Sequence, residues 1–213
     1  PRVTLVNDFE GIAHSLDDLP ADSLHALQQG ERDPDGVRLV VGAGTGLGVC
    51  IVCPGRPPRL IPTEAGHGEL APADARQSRL WATVTQREGR CSREHLLSRR
   101  GIARIADFLI SESPQRPGKA LAEAMAQPDP APELTRLALA GGDPLAVETL
   151  SLFCSLYGGQ AGDLALGCLP FGGVYVAGGI APRILPLLDA GGFVEAFRRK
   201  PPMTHLLERM PIQ

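Results

Sequence analysis

The stretch that most constrains this chain is Leu39-Val40-Val41-Gly42-Ala43-Gly44-Thr45-Gly46-Leu47-Gly48-Val49-Cys50-Ile51-Val52. Two short apolar, β-branched runs are joined by a turn in which every second residue is glycine, the pattern of a hairpin between buried strands. Alternate glycines permit positive φ and leave no Cβ between main-chain N–H groups and whatever lies over the turn. Such N–H groups hold anionic oxygens well. Two familiar phosphate loops do not fit the spacing. After Gly42 or Gly44, the third glycine of G-x-G-x-x-G would have to stand at Leu47 or Val49, and no Gly-Lys-Ser/Thr follows for a P-loop. A glycine-rich hairpin alone is equally well a plain tight turn, so the rest of the chain has to decide.

The 213 residues, 43% hydrophobic and 21% charged, are enough for one domain, or one large and one partial domain, with an ordinary globular core. A net charge of −3 gives no bulk attraction for nucleic acid or an anionic membrane, so neither is expected as a partner. Arg99-Arg100 and Arg198-Arg199-Lys200 are short basic runs and read as solvated surface. Five scattered cysteines argue against a disulfide framework and for a reducing cytoplasm. Cys50 and Cys53 have C-x-x-C spacing, but on a strand they point to opposite faces and no second cysteine pair lies near, so no metal site is assigned. The uncharged run from Leu164 to Pro182 contains two prolines and five glycines and reads as a helix end, a turn and a buried strand rather than a membrane span.

Along the chain, Val3-Thr4-Leu5-Val6 reads as a buried strand that delivers Asn7-Asp8 at its carboxyl end, where open α/β sheets bind ligands. Phe9 to Leu27 reads as mainly helical with a break at Pro20. After the hairpin and a turn over 54–58, Leu60-Ile61-Pro62 leads to a loop, Thr63 to Pro72, that sets Glu64 and His67 among glycines. Helical spacing follows over 74–87, from about Glu94 to Leu109, and over 119–127. Asp143-Pro144 opens the longest helix, Leu145 to about Ala165, with Leu150, Phe153, Cys154 and Tyr157 as its core stripe. Val174 to Ala177 is a buried strand ended by Gly178-Gly179, with a helix beginning near Ile184. Strands alternating with helices make this an α/β protein.

The order of these pieces resembles the bacterial glucokinase family, hexokinase relatives in the actin-like ATPase superfamily. The matching segments are VNDF (6–9), GAGTGLGV (42–49), EAGH (64–67), the glutamate of SREHLLS (Glu94), SLFCSLYG (151–158) and FGGVYVAGGIAPR (171–183). Taken singly, each has a plainer reading. An Asn-Asp after a strand is ordinarily a helix cap, Glu64 and His67 a surface pair, Glu94 a first-turn carboxylate, and Gly178-Gly179 a strand-to-helix turn. Their common order is what carries the resemblance.

The resemblance implies an actin-like ATPase (ribonuclease H-like) fold, in which residues 1–18 end a small α/β domain and residues 19–213 form most of the large one. It implies ATP-dependent phosphorylation of the 6-hydroxyl of glucose, with Mg2+, in a homodimeric cytoplasmic enzyme of glycolysis. Asp8 would be the base. Asn7, Glu64, His67 and Glu94 would hydrogen-bond the other sugar hydroxyls. Gly44-Thr45-Gly46 would cradle the nucleotide's phosphates, and Gly178-Gly179 would let the adenosine approach the backbone.

Three departures shape the expectation. The family opens with a strand carrying an Asp-x-Gly-Gly-Thr phosphate loop and the magnesium-positioning aspartate, and it ends with a further strand and helix. Neither part stands in these residues, so the chain reads as an internal fragment with little or no kinase activity by itself. Where the family usually has Ser-Gly-x-Gly after the glutamate, this chain has Ser98-Arg99-Arg100-Gly101, which is expected to restrict the backbone or shift Glu94. No cysteine-rich zinc loop follows His67, which favours the zinc-free glucokinase branch over the related repressor and sugar-kinase family. A non-catalytic sugar-binding remnant and a kinase of another hexose stay open as alternatives.

Overall fold

The computed structural model describes residues 8–20, 23–114 and 116–213. The expected strand at 3–6 and Asn7 lie outside them. The first described element is helix α1 (Asp8–Ser15). The glycine stretch then forms the hairpin of β1 (Arg38–Ala43) and β2 (Leu47–Cys53), and β3 (Arg59–Thr63) follows as the edge strand. Pro62 is tolerated there because it stands on the outermost strand.

The sheet has the order β3-β2-β1-β4, where β4 is Gly173–Ala177. β1 pairs antiparallel with β2 from Arg38 opposite Val52 to Ala43 opposite Leu47, and parallel with β4 from Arg38 beside Gly173 to Gly42 beside Ala177. Because β1 and β4 run the same way, their carboxyl ends lie side by side at one end of the sheet, beside the hairpin tip.

Period-two alternation splits the sheet into two faces. Leu39, Val41, Ala43, Leu47, Val49 and Val174 belong to the main core, whereas Val40, Cys50, Val52 and Tyr175 form a second cluster with Ala13 and Leu16. Cys50 therefore faces the α1 side. Helix α1 lies on this second face in contact with all three strands of the meander, although the expected division places it with the small domain.

The other face is covered by helices. These are α2 (Ala75–Glu88), α3 (Arg93–Leu96), α4 (Arg99–Glu112), α5 (Lys119–Met125), α6 (Ala131–Leu139) and α7 (Pro144–Cys168). After β4 come α8 (Leu185–Asp189), α9 (Gly192–Arg198) and α10 (Thr204–Leu207). Helix α7 is the spine. Asp143 caps it by accepting the Leu145 and Ala146 N–H groups at 3.0 Å each. Gly158 and Gly162 let α9 approach, since a Cβ at either would meet the Phe193 or Phe197 carbonyl. Tyr157 packs edge-on against Phe153 and Phe193, with ring centroids 5.9 and 5.3 Å away. The expected stripe of Leu150, Phe153, Cys154 and Tyr157 is buried.

Four local expectations are corrected. The helix from Phe9 stops at Ser15. The single helix expected from Glu94 is two, because Ser98 caps a fresh start by accepting the Gly101 N–H at 3.1 Å. Helix α6, opened by Pro132 in its first turn, was not foreseen. The four hairpin glycines, Gly42, Gly44, Gly46 and Gly48, are absent from the positive-φ conformations the turn was expected to use.

Among the described residues no single helix is long and apolar enough to cross a membrane, and all five cysteines are free thiols.

Candidate active site

What the hairpin glycines provide is room. A Cβ at Gly48 would collide with the Phe9 ring, and one at Gly42 would come within 2.5 Å of it, so these two glycines make the slot into which α1 docks. A Cβ at Gly46 would lie 2.5 Å from Glu94 Oε2. That oxygen accepts the Leu47 N–H at 3.0 Å. Gly46 thus clears the space in which a carboxylate from α3 reaches the hairpin. Gly44 has nothing within 4 Å of where its Cβ would be, and faces open space.

The hairpin is held rigidly. The Gly44 N–H closes the three-residue loop on the Gly46 carbonyl at 2.8 Å, and the Gly44 carbonyl accepts the Arg99 N–H at 2.9 Å. Beneath it, the Tyr157 hydroxyl donates to the Val41 carbonyl at 3.1 Å and accepts the Ala43 N–H at 3.2 Å. Full burial raises the Tyr157 pKa, so the phenol stays neutral and keeps both bonds.

Gly178 ends β4 at φ +84°, and a Cβ there would lie 2.5 Å from the Ala43 carbonyl. The same carbonyl accepts the Ile180 N–H at 3.2 Å. Glycine is required at 178 by this contact between strand ends. It delivers Gly179 to the mouth of a cavity of about 280 Å³ that Gly44 and Thr45 also line. Ile102, Ala131, Pro132, Thr135 and Ile184 supply a mostly apolar wall, and Arg99 and Arg183 are its two charged residues. An apolar slot ending at a hairpin tip flanked by guanidinium groups suits a flat base joined to phosphates. Gly46 and Gly178, expected at the nucleotide, do not line this cavity.

On the other side of the hairpin lies the EAGH turn, a single 3-10 turn (Ala65–His67) directly after β3. Glu64 and His67 are exposed, with carboxylate and imidazole 3.8 Å apart. Gly66 is buried because the turn lies on the Leu47 carbonyl, where no Cβ could fit. Leu47 therefore holds both parts of the candidate sugar face: its N–H binds Glu94 and its carbonyl seats Gly66. Thr63 Oγ1 steadies the entry, donating to the Val49 carbonyl at 3.0 Å and accepting the Ala65 N–H at 3.2 Å.

The structure thus brings Gly44, Thr45 and Gly179 to one cleft, and Glu94, Glu64 and His67 to the neighbouring face of the same hairpin. Asn7 lies outside the described residues, and Asp8 is described only as the first residue of α1. Arg99 is the first residue of α4, its N–H donates to the Gly44 carbonyl of the hairpin, and its side chain pairs with Asp129, while Glu94 accepts the Leu47 N–H. Arg183 and Arg93 are not singled out from the sequence, and Tyr157 reads there only as core. The hydrogen-bond partners of Tyr157 and Arg93 are far away in the chain.

The glucokinase family model matches residues 1–213. Glucokinase of Synechocystis sp. is 37% identical over 228 residues, covering 100% of this chain and 64% of that protein. The chain is also similar to a crystal structure of glucokinase from an Antarctic psychrotroph, with TM-score 0.85 and 27% identity over 97% of this chain and 62% of that one. A second similar structure is glucokinase from Balamuthia mandrillaris in complex with glucose, with TM-score 0.73 and 21% identity over 97% of this chain and 60% of that one. The chain therefore spans a little under two thirds of the curated relative's length. Its fold is the actin-like ATPase fold of these sugar kinases. With its hairpin, its EAGH turn and its GG strand end in the family's order and its whole length matched, this chain belongs to the glucokinase family.

Proposed function

We propose that the chain forms the greater part of a glucokinase that transfers the γ-phosphoryl group of ATP to the 6-hydroxyl of glucose. The observation that carries this reading is the convergence of Gly44, Thr45 and Gly179, from separate elements, on one cleft at the carboxyl ends of β1 and β4. Glu94 stands bonded to the hairpin's opposite side. Phosphoryl transfer is mostly positioning and charge stabilisation, so a rigid hairpin between a base-sized slot and a ring of hydroxyl acceptors supplies what the reaction needs.

In this reading the apolar wall takes the adenine, Thr45 and the guanidinium groups of Arg99 and Arg183 face the phosphates, and Glu64, His67, Glu94 and Asn7 orient the sugar. Asp8 takes the proton from the 6-hydroxyl as that oxygen attacks the γ-phosphorus and the bond to ADP breaks. Mg2+ is implied by the chemistry. Among the described residues no group of three or more His, Cys, Asp or Glu is placed to hold a metal ion. The division at residue 18 into parts of two domains, a homodimer and a cytoplasmic location belong to the same proposal.

Calorimetric titration of the 213-residue chain with glucose tests the sugar face directly. Saturable binding that Glu64→Gln and Glu94→Gln weaken is expected, and no binding would overturn it. Mannose and N-acetylglucosamine titrated alongside separate the hexoses. In an enzyme that joins this chain to the family's N-terminal phosphate loop, Asp8→Asn should lower kcat by roughly 10²- to 10⁴-fold with the glucose KM little changed. Unchanged turnover would refute the base assignment.

A further inference from the structure

Glu64 and His67 are both exposed, so nothing packs their side chains into place, and their positions are set by the backbone of a single 3-10 turn. A turn this short does not hold itself, and residues that bind a ligand with directional hydrogen bonds need support from a second layer. Arg90 Nη2 donates to the His67 carbonyl at 2.7 Å from an exposed position, and a second side chain reaches the turn from the element carrying Glu94. Arg93 Nη1 donates to the Ala65 carbonyl at 3.0 Å, inside the turn, and the Arg93 N–H donates to the Gly68 carbonyl at 2.9 Å, just after it. Gly68 has no Cβ because the Arg93 guanidinium lies where one would stand.

The other end of the arginine is anchored in the core. Arg93 Nε donates to Gln160 Oε1 at 3.1 Å. Gln160 is only 2% exposed and sits on α7, and its Nε2 donates to the Ala71 carbonyl at 3.0 Å, near the end of the same loop. The acceptors of the guanidinium are neutral oxygens, so the arrangement is a brace in which one cation and one amide fix two points of the loop, the Ala65 and Ala71 carbonyls, against the longest helix, and the Arg93 N–H fixes a third at Gly68. Sequence neighbours Arg93 and Glu94 thereby serve different ends: Glu94 binds the hairpin at Leu47, and Arg93 binds the turn that rests on that same Leu47.

We propose that Arg93, anchored by Gln160, is the positioning residue that holds Glu64 and His67 in register with Glu94, so that the hexose meets a preformed set of acceptors. The proposal rests on the sugar-site reading above. Its energetic basis is preorganisation: without the brace, glucose itself would have to order the turn, and affinity would fall by that cost.

Two readouts on the 213-residue chain test it. Amide hydrogen exchange at His67 and Gly68, whose N–H groups close the turn on Glu64 and Ala65 at 3.0 and 3.1 Å, reports the brace without any sugar. Glucose titration reports its effect on binding. Arg93→Met, which keeps the aliphatic stem and loses the donors, should speed exchange at these two amides and weaken glucose binding, each by about tenfold, the loss expected for a charge-assisted hydrogen bond. Amides of β1 and β4 should be unaffected. Arg93→Lys restores one donor and should recover part of the affinity at an unchanged global thermal midpoint, a recovery that a merely space-filling role would not give. Gln160→Leu should reproduce the Arg93→Met phenotype, and serves if Arg93→Met folds poorly. Unchanged exchange in both Arg93→Met and Gln160→Leu would overturn the brace. Faster exchange with unchanged glucose affinity would overturn the positioning role. A parent chain that binds no glucose while exchange still rises would refute the sugar-site reading and leave the brace standing.

Discussion

Gly42 and Gly48 look like Gly44 and Gly46 in the sequence, yet the two pairs answer to different neighbours. The first pair faces the Phe9 ring, Gly46 faces the Glu94 carboxylate, and Gly44 faces open space. Alanine scanning of the hairpin should therefore be sharply uneven. Gly48→Ala forces out the ring and with it the seat of α1, and should lower stability by an amount typical of overpacking, about 1–3 kcal/mol, read as a lower thermal midpoint. Gly44→Ala should leave folding nearly unchanged, and its effect, if the cleft holds a nucleotide, should be confined to nucleotide binding. Equal midpoints for the two variants would sink this distinction.

At the scale of elements, the hairpin is held to the helical layer by a hydroxyl. Tyr157 reaches from α7 to both the Val41 carbonyl and the Ala43 N–H at the end of β1, from a fully buried position. Tyr157→Phe keeps the ring packing against Phe153 and Phe193 but leaves a buried N–H and carbonyl without this partner. A loss of about 1–3 kcal/mol is expected. At this chain length each kcal/mol lowers the thermal midpoint by about 2–4 °C. A variant as stable as the parent would mean that the strand end relaxes to other partners. The join between α3 and α4 makes a related point. A continuous helical pattern runs through it, but the Ser98 cap and the close approach of Gly101 to the Leu96 carbonyl divide it, and the division lets Glu94 and Arg99 grip the hairpin from two directions.

Across the whole molecule, charge acts at the surface and closure acts in the core. Arg38, Arg104, Arg79 and Arg136 hydrogen-bond Asp17, Glu88, Glu112 and Glu133 and hold those carboxyls below their ordinary range. A carboxyl with a lowered folded-state pKa stabilises the fold above its unfolded value and loses that contribution as pH falls through the folded one. The loss from these four groups therefore falls below about pH 4.5, and exposure keeps it small. In a thermal-unfolding series from pH 7 to pH 3, replacing the four by Asn or Gln should lower the midpoint slightly between pH 6 and 7 and leave it at the parent's value near pH 3, so that the acid limb flattens. A change confined to acid pH would contradict the assignment. Closure depends on Gln28. Its Nε2 donates to the Leu207 and Met210 carbonyls at 2.7 and 2.6 Å, and its Oε1 accepts from Arg198 at 2.6 Å. The last residues then run beside β4, with Ile212 bridged to Val174 and Gln28.

Much of this was legible in the residues themselves. Two β-branched apolar runs joined through Gly44-Thr45-Gly46 determine a hairpin, because such residues favour paired strands and a glycine-rich turn joins them. The apolar stripe after Asp143-Pro144 determines a buried helix with its cap, and the order of the motifs determines the family. These are local patterns, and local physics is enough to read them. Which glycine serves packing and which faces the cleft depended on neighbours distant in the chain, Phe9 for Gly48 and Ala43 for Gly178. So did the meeting of Thr45 with Gly179, which follows from the parallel pairing of β1 with β4, and the brace from Arg93 to Gln160. A hydrogen bond or a steric limit between residues far apart in sequence exists only once the chain between them has folded, so only the tertiary structure could decide them.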